Sequence, residues 1–206
     1  RARMWTTGDE SVDGGFISGK IRAAAERRKS FSIPQTTNAF RLVNAEADDL
    51  PGIIIDQYAD VMVCQFLSAG AEFFRDAVVQ ELKSAFHPRA IYERSDTDAR
   101  TKEGLEKRGG LLYGTFGGEE VAITENGINF LVDIVEGHKT GFYLDQKLNR
   151  QKVAEMAEGK EVLDCFCYTG GFSAAALSGG AKAVLAVDSS SNALAQAQRN
   201  LEINGL

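Results

Sequence analysis

Apolar residues along this chain recur first at helical and then at strand spacing, and each change of period marks an element. Phe16, Ile17, Ile21, Ala24 and Ala25 keep the helical period behind a loop carrying Gly8, Gly14 and Gly15, and Arg1 to Thr6 reads as the tail of a strand before it. From Phe31 the runs shorten. Phe40–Asn44, Ile53–Asp56 and Val61–Leu67 are strand candidates, the first two separated by an acidic stretch that turns at Pro51–Gly52. After Gly70, the spacing of Phe74, Val78, Leu82 and Ala85 predicts a helix that Pro88 must end, and its apolar side has to cover a sheet face. Ala90–Glu93 is a further strand. Ser95 to Arg108 is polar, and the mixture of Asp96 and Asp98 with Arg94, Arg100, Lys102, Lys107 and Arg108 predicts a solvated loop or helix face rather than catalytic acids.

The second half of the chain has a different grammar. Val121–Thr124 and Ile128–Ile134 flank Glu125–Asn126–Gly127, and an Asn-Gly pair between alternating apolar runs is a hairpin signal. A loop, Val135–Gly141, and a helix, Leu144–Ala157, follow. The chain from Val162 to Asp188, VLDCFCYTGGFSAAALSGGAKAVLAVD, then reads strand, loop, helix, strand. Parallel strands end on one edge, and ligands bind in the crevice formed by the loops there. An apolar run, Ala183–Val187, ends in Asp188, about twenty residues beyond the loop, where a carboxylate in such a unit takes ribose hydroxyls. Asp164 ends the preceding strand. A pyrophosphate cradle of the form GxGxxG is missing, because Gly170 and Gly171 are adjacent and Phe166 and Tyr168 stand at the other loop positions. The loop therefore suits a phosphate-free adenosine such as S-adenosylmethionine better than a nicotinamide dinucleotide. Any doubly wound protein can supply the same order of elements, so the pattern by itself leaves the chemistry open.

Bulk properties narrow the classes. At 206 residues and 44% hydrophobic content the chain can bury a substantial core in one domain or two, and no run approaches the roughly eighteen apolar residues of a membrane span. Neither a signal peptide nor a disulfide framework is predicted: Cys165 and Cys167 are too close in sequence, and thiols point to a reducing, cytoplasmic setting. A net charge of −6 excludes indiscriminate coating of nucleic acid and leaves room for local basic contacts. The opening at Arg1 and the end at Leu206, just after one βαβα pattern, predict a piece of something longer. A partly built parallel sheet has an open edge, which predicts self-association into a homo-oligomer. His138 has no Cys or His neighbours at ligand spacing, so no metal site is expected.

LDCFCYTGGFS, the acid at Asp188 and GHKTGFYLDQKLNR from Gly137 to Arg150 together resemble the large-subunit ribosomal RNA cytosine-C5 methyltransferase I family. The likeness extends to RARMW at the start, DDLPGIIID from Asp48 and LSAGAEFFRDA from Leu67, so it covers most of the chain. The fold class expected is α/β and α+β. Residues 1–30 would be the exit of a PUA-like RNA-binding domain and a linking helix, 31–120 a central α+β domain, and 121–206 the first part of a Rossmann-like methyltransferase domain. The resemblance implies S-adenosylmethionine as cofactor, ribosomal RNA as partner, and cytosine carbon 5 as the methylated atom. Candidate cofactor contacts are Phe142 as a pocket wall, Gln146, Asp164, Phe166, Tyr168, Gly170, Gly171 and Asp188, and candidate RNA contacts are Lys139 and Arg150.

Carbon 5 of cytosine is a weak nucleophile, so its methylation calls for a thiolate adding to carbon 6 and a base removing the carbon-5 proton. The resemblance puts the nucleophilic cysteine and an Asp-Pro-Pro loop on later strands, so no catalytic residue is assigned here and the fragment alone is expected to be inactive. Cys165 and Cys167 are read as pocket-lining. Two alternatives stay open: a noncatalytic RNA-binding module with a vestigial pocket, and a methyltransferase acting on guanine.

Overall fold

The structure is a computed structural model that describes residues 2–31 and 33–206. Arg1 lies outside them, and residues 2–6 carry no strand; instead Trp5 packs its ring edge-on against Phe74 at 5.3 Å. Helix α1, Gly14–Ser30, starts where the Asp13 side chain accepts the Phe16 N–H and ends in Arg27, Arg28 and Lys29, cations that suit the negative end of the helix dipole. It buries the predicted stripe of Ile17, Ile21, Ala24 and Ala25. Strands β1 (Ala39–Asn44), β2 (Ile53–Tyr58) and β3 (Val61–Phe66) form an antiparallel meander. The β3 side chains are buried throughout, as expected of a strand covered on both faces. Helices α2 (Ala69–Phe73) and α3 (Arg75–Phe86) carry the chain across to β4 (Ala90–Ser95), parallel to β3. The short α4 (Asp98–Lys102) leads to β5 (Arg108–Gly114), antiparallel to β4, and closes a five-stranded sheet of order β1-β2-β3-β4-β5.

One face of this large sheet packs under α1 and α3 in an apolar core that includes Ile17, Ile55, Cys64, Phe66 and Leu82. The other face, with Tyr58, Val61 and Val63, packs against the hairpin of β6 (Val121–Glu125) and β7 (Ile128–Val132). A 3-10 turn, Leu144–Gln146, opens α5 (Lys147–Met156). Then β8 (Glu161–Cys165), α6 (Gly171–Ser178), β9 (Ala183–Val187) and α7 (Ser191–Glu202) follow, with β8 and β9 parallel. The mixed α+β and α/β architecture expected from the sequence is the one observed. Among the described residues no helix is long and apolar enough to cross a membrane.

Three expectations change. The polar stretch after Ser95 is not simply solvated: Arg100 is 1% exposed and donates to Glu72 and to the carbonyls of Phe66 and Glu106. Strand β5 was hidden by Gly109, Gly110 and Gly114, which erase any period-two pattern. At Gly114, with φ +80°, an added Cβ would lie 1.9 Å from the Arg89 carbonyl oxygen, so the close approach of backbone to backbone requires glycine. The apolar run that predicts β8 does not put all its side chains in a core: Leu163 is 62% exposed, because strand side chains alternate and its face of the β8–β9 pair is uncovered.

Two cations at the end of α1 are engaged by a buried acid. Arg28 grips buried Asp48 with both nitrogens at 2.6 Å, and Arg27 adds a contact at 3.0 Å. Burial alone would raise the Asp48 carboxyl, but the bonds from Arg28 and the Asn44 N–H, with the charge of Arg27, hold its pKa below the usual aspartate range. A lowered folded pKa contributes stability that is present above the unfolded value and lost as pH falls through the folded one. Asp48→Asn should therefore lower the urea midpoint at pH 7, and its gap to wild type should narrow once the pH drops below about 3.9. An equal gap at pH 7 and pH 3 would refute this.

Candidate functional site

Asp164 lies one residue before the end of β8, paired with Ala186, and Asp188 directly follows Val187, which pairs with Cys165. Both carboxylates thus stand at the C-terminal edge of adjacent parallel strands, the place where an open α/β sheet binds ligands. Both also raise the Cys167 thiol pKa, after the larger effect of burial, so both act on the same small region. The loop between them bends back at Cys167, whose N–H reaches the Val187 carbonyl at 3.1 Å.

Asp188 is preorganised. Its Oδ2 accepts the Tyr168 N–H and its Oδ1 the Ser190 N–H, each at 2.9 Å, and the Ser190 and Tyr168 bonds hold its pKa below the ordinary aspartate range. Each oxygen retains accepting capacity, which is what a pair of vicinal hydroxyls needs. Asp164 accepts from Ser173 Oγ at 2.6 Å, which ties β8 to the first turn of α6.

The loop itself is conformationally unusual. Phe166 and Tyr168 have φ of +61° and +49°, a region that costs a side-chain-bearing residue about 1–2 kcal/mol. Gly170, at φ +77°, completes the alternation, and a Cβ there would lie 2.9 Å from Ala197 Cβ, so α7 packs directly on the start of α6. Tyr168 has visible compensation: its ring stacks on His138 at 4.5 Å with planes 9° apart, and its hydroxyl accepts the His138 N–H and donates to the Gly141 carbonyl. Phe166 has none of this kind among the described residues and stands 89% exposed at the mouth of the loop. Strain held at an exposed aromatic is the kind of outlier that points to a site.

The remaining predicted residues separate into two groups. Gly170 and Gly171 begin α6, beside the aspartates. Phe142 touches the same helix start, its ring tip 3.4 Å from where a Cβ on Gly171 would lie, while Gln146 is half-buried on the 3-10 turn before α5. Phe142 is buried, 5.1 Å from the Phe130 ring and covered by the Arg150 guanidinium. Gln146 accepts from Asn149 at 2.7 Å at the start of α5. Lys139 is on the surface, 2.8 Å from Asp145 and over the Tyr143 ring. Arg150 is 3% exposed and bonded to Glu125 through Nε and Nη2, so it is an internal strut and offers nothing to RNA in this arrangement.

Cys165 is exposed and Cys167 buried, both as free thiols. Burial and then the two aspartates keep Cys167 protonated at neutral pH, which disqualifies it as a ready nucleophile. Sequence reasoning missed a polar cluster of Asp56, Tyr58 and Thr140 behind the loop, and Arg94, which donates to the Ile134 and Gly137 carbonyls. The only sequence signal was an acid, Asp56, at the end of an apolar run. A cleft of about 400 Å³ flanks the edge, lined among others by Asp133, His138, Tyr168, Ser190 and Gln196.

Residues 112–206 match the family described as S-adenosylmethionine-dependent methyltransferase. A "Ribosomal RNA large subunit methyltransferase I" from Aeromonas hydrophila is 53% identical over 208 residues, covering all of this chain and 52% of that protein. The chain thus spans about half the length of the curated relatives it matches. Among solved structures, a Streptococcus mutans chain described as a SAM-dependent methyltransferase superposes with a TM-score of 0.85 at 29% identity over 98% of this chain and 52% of its own. A second chain, described as a methyltransferase complexed with SAH, gives 0.84 at 30% identity over 97% of this chain and 50% of its own. The fold is therefore that of a Rossmann-like methyltransferase.

Proposed function

We propose that residues 112–206, as a match to the S-adenosylmethionine-dependent methyltransferase family, hold the cofactor of an enzyme that methylates large-subunit ribosomal RNA. The observation that carries this reading is Asp188: an ionised carboxylate, fixed by backbone N–H groups, with accepting capacity left on both oxygens, at the edge of a parallel strand pair. The residues fit the cofactor. A ribose needs a carboxylate and finds Asp188, an amino or hydroxyl group can donate to Asp164, and no phosphate cradle demands a dinucleotide. Phe166 offers an exposed ring face beside them. When bound, S-adenosylmethionine supplies an electrophilic methyl group on a sulfonium. This chain's own contribution is binding and orientation, and Cys167 stays a thiol.

The target base is the finer part of the proposal. Cytosine carbon 5 is favoured by the likeness of GHKTGFYLDQ to the cytosine-modifying family, and Lys139 is the exposed cation of that loop that RNA would meet. In the same reading residues 1–30 lead out of a PUA-like domain, and a ribosomal RNA substrate implies work in the cytoplasm. The test is to incubate the full-length protein with large-subunit ribosomal RNA and methyl-labelled S-adenosylmethionine, then digest the RNA to nucleosides. Label in 5-methylcytidine is expected. Label on guanosine would overturn the base assignment, and RNA binding without any transfer would leave a noncatalytic RNA-binding module.

A further inference from the structure

A buried polar cluster joins the large sheet to the loop that grips Tyr168, and its hydrogen bonds run in one consistent direction. Asp56, with no exposed surface, accepts from Arg41 Nε and Nη2 at 2.8 and 2.9 Å. It also accepts the Thr140 hydroxyl at 2.6 Å. Having donated its proton there, Thr140 Oγ1 must accept from the Tyr58 hydroxyl, 2.8 Å away, and Tyr58 in turn accepts the Phe142 N–H at 3.1 Å. Arg94 pins the other end of the same loop through the carbonyls of Ile134 and Gly137.

From this loop the connection passes to the crevice. The His138 N–H and the Gly141 carbonyl hold the Tyr168 hydroxyl, and the Tyr168 N–H holds Asp188. Packing alone does not ask for such a cluster, since apolar residues would fill the same volume without desolvating a carboxylate. What hydrogen bonds add is one fixed geometry.

We propose that Thr140 and Tyr58 are positioning residues of the cofactor site: anchored on Asp56 of the large sheet, they set the 137–142 loop so that Tyr168 aims the Asp188 carboxylate. The inference rests on the reading of Asp188 as the ribose group. It makes cofactor affinity depend on a sheet that never touches the cofactor.

Calorimetry with S-adenosylhomocysteine on the full-length protein tests it, using Thr140→Val, Thr140→Ser, Tyr58→Phe and Asp188→Ala. Thr140→Val keeps the shape and removes the hydroxyl, so affinity should fall about tenfold, the equivalent of one lost hydrogen bond, and Thr140→Ser should restore it. In turnover, KM for S-adenosylmethionine should rise while KM for RNA stays put. Should a core variant fail to fold, Tyr168→Phe removes only the gripped hydroxyl and should weaken binding in the same way. Wild-type affinity in Thr140→Val and Tyr168→Phe, with only the melting temperature lowered, would overturn the proposal and leave the reading of Asp188 standing. No binding by wild type, or unchanged binding by Asp188→Ala, would overturn that reading and this inference with it.

Discussion

Asp188→Ala is expected to weaken S-adenosylhomocysteine binding by about a hundredfold or more, because hydrogen bonds to a charged acceptor contribute about 1.5–3 kcal/mol each and two hydroxyls lose theirs together. The carboxylate is unusually well prepared for that task. Backbone N–H groups of Tyr168 and Ser190 fix its plane and keep it ionised without occupying all of its accepting capacity. The alanine variant should fold normally, since Asp188 lies in a surface loop rather than a core. Asp188→Asn should fall between the two, its amide able to accept on one side only. Calorimetry on the three proteins, with thermal melts as a folding control, decides it. An alanine variant that binds as tightly as wild type would remove Asp188 from the site.

Arg150→Met should cost about 3–5 kcal/mol of folding stability. Arg150 and Glu125 are each 3% exposed and meet through two short bonds. Arg150 also donates to the Tyr143 carbonyl at 3.0 Å and covers the Phe142 ring. Its Cδ would meet a Cβ on Gly171 at 3.2 Å, so the start of α6 is built on this side chain. Deleting the cation strands Glu125 as a buried charge. Glu125→Leu with Arg150→Met, which removes both charges, should recover most of the loss. Urea unfolding of the single and double variants measures this. A single variant within about 1 kcal/mol of wild type would show that the pair is solvated in solution. RNA affinity of the folded variant should match wild type, against the expectation that Arg150 touches RNA.

That contrast shows where the sequence is informative. The hairpin was legible because Asn126–Gly127 dictates a tight turn, and α1 because its apolar stripe keeps one period. The placement of Asp164 and Asp188 at neighbouring strand ends was legible because the apolar runs before them mark the two strands of a βαβ unit. Strand β5 was not, since glycines carry no pattern. Arg94, Arg100 and Arg150 were read as surface cations because burial of a charge depends on a partner far along the chain: Glu125 for Arg150, Ile134 and Gly137 for Arg94. The Thr140–Asp56 bond spans 84 residues and leaves no local trace. The exposure of Leu163 was hidden for a different reason, because an apolar run says that a face is apolar and not whether anything covers it.

The central claim concerns a place, so the most direct measurement is a crystal structure of the full-length protein with S-adenosylhomocysteine. The account predicts ribose hydroxyls on the Asp188 carboxylate and the nucleoside lying across the ends of β8 and β9. A ligand seated instead in the flanking cleft beside Asp133 and Gln196, away from both Asp164 and Asp188, would contradict it.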